Sequence, residues 1–150
     1  MNYGRGVNLI SKASSFISYK SNIELEKYTY MIKNRNHRIA LSRLRLSSHE
    51  LMIEKGRHRK PVIPRIDRIC PMCKDGVENE CHFVTIYPIY EEARKELYTA
   101  AESFAANFKD IPTNEQAFIY LMSNEDTKLL AKLGEFTYKS FKRRKIVLGK

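Results

Sequence analysis

The chain has 150 residues, enough for one domain with its own core, and 43% of them are apolar and 11% aromatic. These proportions exclude an intrinsically disordered chain despite the net charge of +10. No apolar run approaches the roughly 20 residues that span a bilayer, and the N-terminus lacks an apolar signal core. The sequence therefore predicts an intracellular protein, nuclear or cytoplasmic, with no membrane partner.

The positive charge is unevenly distributed. Residues 1–69 carry 15 Lys and Arg against 5 Asp and Glu, whereas residues 70–140 carry 7 against 12. Residues 141–150 carry 5 basic residues and no acidic one, with four of them consecutive at 142–145. Such asymmetry favours a cationic surface that faces a polyanion, with DNA or RNA as the first candidate.

The spacing of apolar residues predicts a mainly α fold, and the closely spaced Cys70 and Cys73, followed by a turn at Gly76, predict a small central zinc-knuckle hairpin. We expect a single domain over 1–150, with a basic helical segment at 1–49, a knuckle-like segment at 50–90 and further helices at 91–150.

In chain order, the first predicted helix covers residues 8–19. The second covers Ile23 to Leu46, with a break near the polar run at 33–36. Gly56, Pro61 and Pro64 predict turns and short strands between Leu51 and Cys70.

Beyond the cysteines, a short helix is expected through Glu80 to Ile86, and a longer one from Pro88 with Phe104 and Phe108 on its apolar face. Thr113 and Ser123 each precede a Gln or an Asp by three residues, which predicts that each begins a further helix.

Cys70 and Cys73 carry the clearest chemical signal. Two cysteines separated by two residues can bring both sulfurs to one ion, and His82 can supply a third ligand from the following helix. All three cysteines of the chain lie between positions 70 and 81, which suits a metal site better than a disulfide framework. Zinc prefers this set of sulfur and nitrogen ligands.

The fourth ligand stays open. A knuckle of this shape normally has its last ligand near position 87, where this chain has Tyr87, and a neutral phenol is a poor zinc ligand. Cys81, Glu78, Glu80 or a water molecule could take its place. Alternatively no metal binds, and the cysteines and His82 are ordinary core residues.

A series of short motifs between residues 38 and 90 appears in a specific order. They are Arg38-Ile39-Ala40-Leu41, Leu44 to His49, Ile53 to Arg57, Pro64-Arg65, Arg68 to Cys73, Glu78-x-Glu80-x-His82-Phe83 and Tyr87-Pro88-Ile89-Tyr90. This order resembles the zinc-binding region of reverse transcriptases from non-LTR retrotransposons.

That resemblance implies a nonenzymatic module from the region C-terminal to a polymerase core, truncated or decayed, which helps to hold template or primer. A polymerase domain encoded upstream would be its partner. By resemblance Cys70, Cys73 and His82 occupy the first three ligand positions, and Tyr87 departs from the family's fourth cysteine. The family's aromatic-x-Asp-Asp motif is absent, since the sequence has no Asp-Asp.

Two zinc-enzyme patterns are excluded. His49-Glu50 lacks the second His of a metalloprotease helix, because position 53 is Ile53. A cytidine-deaminase site needs a Glu two residues after its His, and here that position holds Val84. The sequence therefore predicts that the protein is not an enzyme.

Basic residues that precede the cysteine pair are the predicted contacts to the DNA or RNA backbone. They are Arg38, Arg43, Arg45, Arg57, Arg59 and Lys60. The competing hypothesis is a metal-free helical scaffold that docks a protein through the acidic and aromatic helix from Pro88 to Asn107.

Overall fold

The structure is a computed structural model that describes residues 26–149. Within that range the chain forms seven α-helices and no β-strand, so the mainly α prediction is confirmed. The helix predicted for residues 8–19 lies outside the described residues. The helices are α1 (Tyr28–Met31), α2 (Arg35–Arg45), α3 (Met52–Lys55), α4 (Glu80–Thr85), α5 (Glu91–Phe104), α6 (Asn114–Ser123) and α7 (Thr127–Val147).

The predicted break at residues 33–36 is the start of α2. Asn34 is its N-cap, and its side-chain oxygen accepts hydrogen bonds from the backbone N–H groups of Asn36 and His37. A side chain that satisfies these otherwise unpaired donors fixes where a helix begins. The helix ends before Ser47, which has a φ of 53°.

The predicted short strands between Leu51 and Cys70 are wrong. This segment contains α3 and a 3-10 turn at Arg65–Asp67, and the hairpin is reduced to one isolated bridge between Ile69 and Val77. The buried guanidinium of Arg68 donates to the carbonyl oxygens of Ile53 and Ile63 at 2.8 and 2.9 Å. A side chain therefore satisfies backbone acceptors that a strand ladder would otherwise pair.

Of the two predicted helix starts, the one at Thr113 is confirmed. Its hydroxyl accepts from the backbone N–H of Gln116 at 3.2 Å. The start at Ser123 is wrong, because Ser123 is the last residue of α6 and Asp126 caps α7 instead. Sequence spacing could not separate the two, since Ser and Asp are about equally good caps.

The predicted burial of Phe104 is also wrong. It is the last residue of α5 and is 42% exposed. Phe108 is buried, but on the 3-10 turn Phe108–Asp110 rather than on the same helix.

The long helix α7 organises the core by packing against both α2 and α5. No helix among residues 26–149 combines the length and the apolar character needed to cross a membrane. Buried apolar residues from all three predicted segments form one cluster, which includes Leu41, Leu44, Leu51, Phe83, Tyr90, Leu97, Leu121, Leu129, Leu133 and Phe136.

Gly134 lies where α7 crosses α2. A Cβ atom at this position would lie 3.1 Å from the carbonyl oxygen of His37. We expect Gly134→Val to force the helices apart and to lower the free energy of unfolding by about 1–3 kcal/mol, the usual cost of overpacking. Urea denaturation measures this loss. Val has a higher helix propensity than Gly, so a loss at position 134 reports on packing. Arg143→Val, at an exposed site on the same helix, controls for the introduction of a β-branched residue. Equal losses in both variants would contradict a close helix crossing.

Candidate functional site

The segment from Cys70 to Gly76 forms a tight turn. The backbone N–H of Cys70 donates to the Gly76 carbonyl and the N–H of Lys74 donates to the Cys70 carbonyl, both at 3.0 Å. Lys74 and Gly76 have positive φ angles of 55° and 89°, which reverse the chain. The N–H of Asp75 points at the sulfur of Cys73, 3.5 Å away. The turn therefore directs both cysteine side chains to one side.

His82 is held on α4 by the cap of that helix. The side chain of Asn79 accepts a hydrogen bond from the backbone N–H of His82 at 2.8 Å. At the other end of α4, the buried guanidinium of Arg94 donates to the carbonyl oxygens of Val84 and Tyr87 at 2.8 and 2.7 Å. Both ends of the short helix are thus fixed relative to the cysteine turn.

Together these elements bring Cys70, Cys73 and His82 into one cluster whose ligand atoms all lie within 4.8 Å of one another. The sulfur of Cys73 is 3.3 Å from Nε2 of His82. Tetrahedral zinc bonds of about 2.0–2.3 Å place two ligand atoms about 3.5–4 Å apart. The three residues are close enough to hold a metal ion.

The environment of the cluster affects its protonation. Burial lowers the pKa of His82 below its usual range, so the imidazole is neutral at pH 7 and keeps a lone pair for a metal. Burial also raises the pKa of the Cys73 thiol, and the neighbouring Cys70 adds to this. Binding a cation would displace this proton.

The three protein side chains considered for the fourth position are engaged elsewhere. Cys81 lies outside the cluster and its sulfur is 3.7 Å from the hydroxyl of Thr85. Glu78 accepts two hydrogen bonds from Arg144, at 3.1 and 3.0 Å. Glu80 contacts other side chains, among them Ser47 and His49, each at 2.9 Å.

Tyr87, at the position where a fourth ligand was expected from the sequence, packs against the cluster. It is 1% exposed, and its ring meets that of His82 edge-on with centroids 5.7 Å apart. Burial raises its pKa far above the usual range, and the adjacent Cys70 thiol contributes to the shift. The buried hydroxyl nevertheless has no hydrogen-bond partner of good geometry among the described residues.

The six basic residues predicted to contact phosphates are in different environments. Arg45 is 2% exposed, donates to Glu26 at 3.0 Å and to the Met122 carbonyl, and is therefore removed from the surface. Half-buried Arg38 donates to the Ile32 carbonyl at 2.6 Å.

The other four predicted residues are more accessible. Arg57 is paired with the buried carboxylate of Glu54 at 2.5 Å, while Arg43, Arg59 and Lys60 are exposed.

A groove of about 1140 Å³ lies between α2, the loop after α3 and the C-terminal half of α7. Arg43, Arg57 and Arg59 line it together with three lysines, Lys55, Lys142 and Lys145. The only acidic residues in its lining are Glu50 and Glu54. Sequence reasoning left these lysines out of the predicted site, although the run at 142–145 was a signal that could have included them.

Comparison with protein-family models, with curated proteins and with solved structures finds no match for this chain. The resemblance to non-LTR reverse transcriptases therefore stays a prediction from the order of the motifs.

Proposed function

We propose that the protein is a nonenzymatic module that binds the phosphate backbone of DNA or RNA, with a structural zinc ion on Cys70, Cys73 and His82. The observation that carries the proposal is the cationic groove between α2 and α7. Its origin from a retrotransposon-type reverse transcriptase, with a polymerase domain as partner, rests on motif order alone.

The charges of the groove suit a polyanion. Its cations come from three separate parts of the chain, yet they line one concave surface. Arg43, Arg59, Lys142 and Lys145 are exposed and make no side-chain ion pair within residues 26–149. Cations without protein partners can replace the counterions of a nucleic acid, which is the main source of affinity that does not depend on sequence.

Zinc suits the cluster for two reasons. Zinc readily binds two sulfurs and one imidazole nitrogen, whereas hard cations such as Ca²⁺ and Mg²⁺ prefer oxygen ligands. The turn from Cys70 to Gly76 also lacks strand pairing beyond the single bridge, so a bound ion would supply a cross-link where the backbone supplies little.

Salt dependence of binding tests the proposal. The protein is titrated with a random-sequence duplex and with a single strand at several salt concentrations. If three or four phosphates are neutralised, the log–log slope on duplex DNA should be about −3 to −4. Replacing Arg43, Lys142 and Lys145 together by Gln should flatten the slope by about two to three. Arg57 is left intact because its loss would leave Glu54 without its partner.

A matched control changes three lysines outside the groove. Replacing Lys109, Lys128 and Lys132 by Gln alters the net charge equally, at exposed sites that do not line the groove. We expect this variant to keep most of the parent's slope. Equal effects of the two triple variants would mean that net charge alone, not the groove, attracts the nucleic acid. Negligible binding at low salt would favour the metal-free scaffold instead.

A further inference from the structure

The hydroxyl of Tyr87 is a buried donor beside a metal-ligating sulfur. The side chain is enclosed by the rings of His82 and Tyr90, with centroids at 5.7 and 4.6 Å. Burial raises the pKa of this hydroxyl most and the neighbouring Cys70 raises it further, yet the hydroxyl makes no well-formed hydrogen bond with any described residue. Buried hydroxyl groups are nearly always paired, and the hydroxyl of Tyr87 has the candidate ligand Cys70 beside it as an acceptor.

Metal binding would create that interaction. A cysteine that binds a metal loses its proton and becomes a thiolate, which is a better hydrogen-bond acceptor than a thiol. The phenol O–H beside Cys70 would then face an anionic sulfur. By contrast, a phenol has an ordinary pKa of about 10 against about 8.5 for a thiol, so it gives up its proton less readily and is the poorer metal ligand.

We propose that Tyr87 is a positioning residue of the metal centre, which donates a hydrogen bond to the Cys70 thiolate and leaves the ion an exchangeable fourth position. This inference rests on the proposed metal site. Among residues 26–149 only Cys70, Cys73 and His82 form the cluster. Tyr87 lies beside this cluster, with its ring edge-on to that of His82. A hydrogen bond to a ligand orients that ligand and tunes its donor strength.

Cobalt(II) titration of the purified protein tests the inference, because sulfur-to-cobalt charge-transfer absorption reports on the thiolates. A hydrogen bond lowers the energy of the sulfur lone pair, so its loss moves this absorption to longer wavelength. We expect Tyr87→Phe to show this shift and to bind Co²⁺ roughly 10- to 100-fold more weakly. Tyr90→Phe, which removes an equally unpaired buried hydroxyl from the neighbouring ring, should match the parent.

The fourth position is tested by adding imidazole as an external ligand. It should change the cobalt d–d bands of the parent. It should leave the d–d bands of Tyr87→Cys unchanged, because a third thiolate fills the fourth position. This variant should also show a stronger charge-transfer absorption than the parent.

The two proposals fail in different ways. A parent protein that binds no Co²⁺ overturns both this inference and the proposed metal site. Suppose instead that Co²⁺ binds but that Tyr87→Phe has the same charge-transfer absorption and Co²⁺ affinity as the parent, or that Tyr90→Phe changes both as much. In either case only the role of Tyr87 is overturned. Parent d–d bands that ignore imidazole overturn the exchangeable position.

Discussion

Arg144→Met is expected to lower the free energy of unfolding by about 3–5 kcal/mol, the cost of breaking a buried ion pair by removing one partner. The guanidinium donates two hydrogen bonds to Glu78, and the two side chains are 5% and 1% exposed. Without the arginine, the Glu78 carboxylate stays buried and keeps the hydrogen bond from the backbone N–H of Met52, but it loses its neighbouring cation. Urea denaturation monitored by circular dichroism measures the loss.

Lys139→Met is the control for Arg144→Met. It removes an ion-pairing cation from the same helix, but Lys139 is 45% exposed and its partners Glu96 and Glu135 are solvated. Its expected cost is below about 1 kcal/mol. The double variant Glu78→Gln with Arg144→Met should recover part of the loss, since no buried charge remains. Similar losses for Arg144→Met and Lys139→Met would contradict the buried pair.

Cys73→Ser is expected to reduce the zinc content of the purified protein from about one ion per chain to nearly none. A serine hydroxyl at pH 7 is neutral and cannot replace a thiolate ligand. Zinc at 100 times its dissociation constant should stabilise the parent by about 2.7 kcal/mol and leave this variant unchanged. Metal analysis after dialysis and thermal unfolding with and without zinc measure both effects.

Cys81→Ser distinguishes a metal ligand from a nearby cysteine. The sulfur of Cys81 lies outside the cluster, so this variant should keep its zinc and its response to added zinc. Loss of zinc from Cys81→Ser would show that this cysteine completes the site. A zinc-free parent would leave Cys70, Cys73 and His82 as packed core residues.

The cluster of Cys70, Cys73 and His82 could be predicted because its geometry is mostly local. Cys70 and Cys73 share one turn, and His82 lies on the next helix, so spacing along the chain decides whether they meet. The orientation of Tyr87 could not be predicted in this way. It depends on packing against Tyr90 and on the hydrogen bond that Arg94 makes to the Tyr87 carbonyl.

The basic surface could be predicted only in part, because burial depends on distant segments. Arg45 is covered by α6, whose Met122 carbonyl lies 77 residues further along the chain. Lys142 and Lys145 join Arg43 only because α7 packs back onto α2. Charge runs indicate that a cationic surface exists, but tertiary packing decides which cations remain on it.

The pairing of Glu78 with Arg144 bears on the smallest fragment that could be studied in isolation. Residues 38–90, which carry the motifs, contain Glu78 but not Arg144, which lies 66 residues further along the chain. Such a fragment would also lack Leu133 and Phe136 of α7, which complete the core around α2 and α4. We therefore expect residues 38–90 alone to leave Glu78 without its cation and the inner faces of α2 and α4 without their packing partners, so a fragment for study should extend through α7.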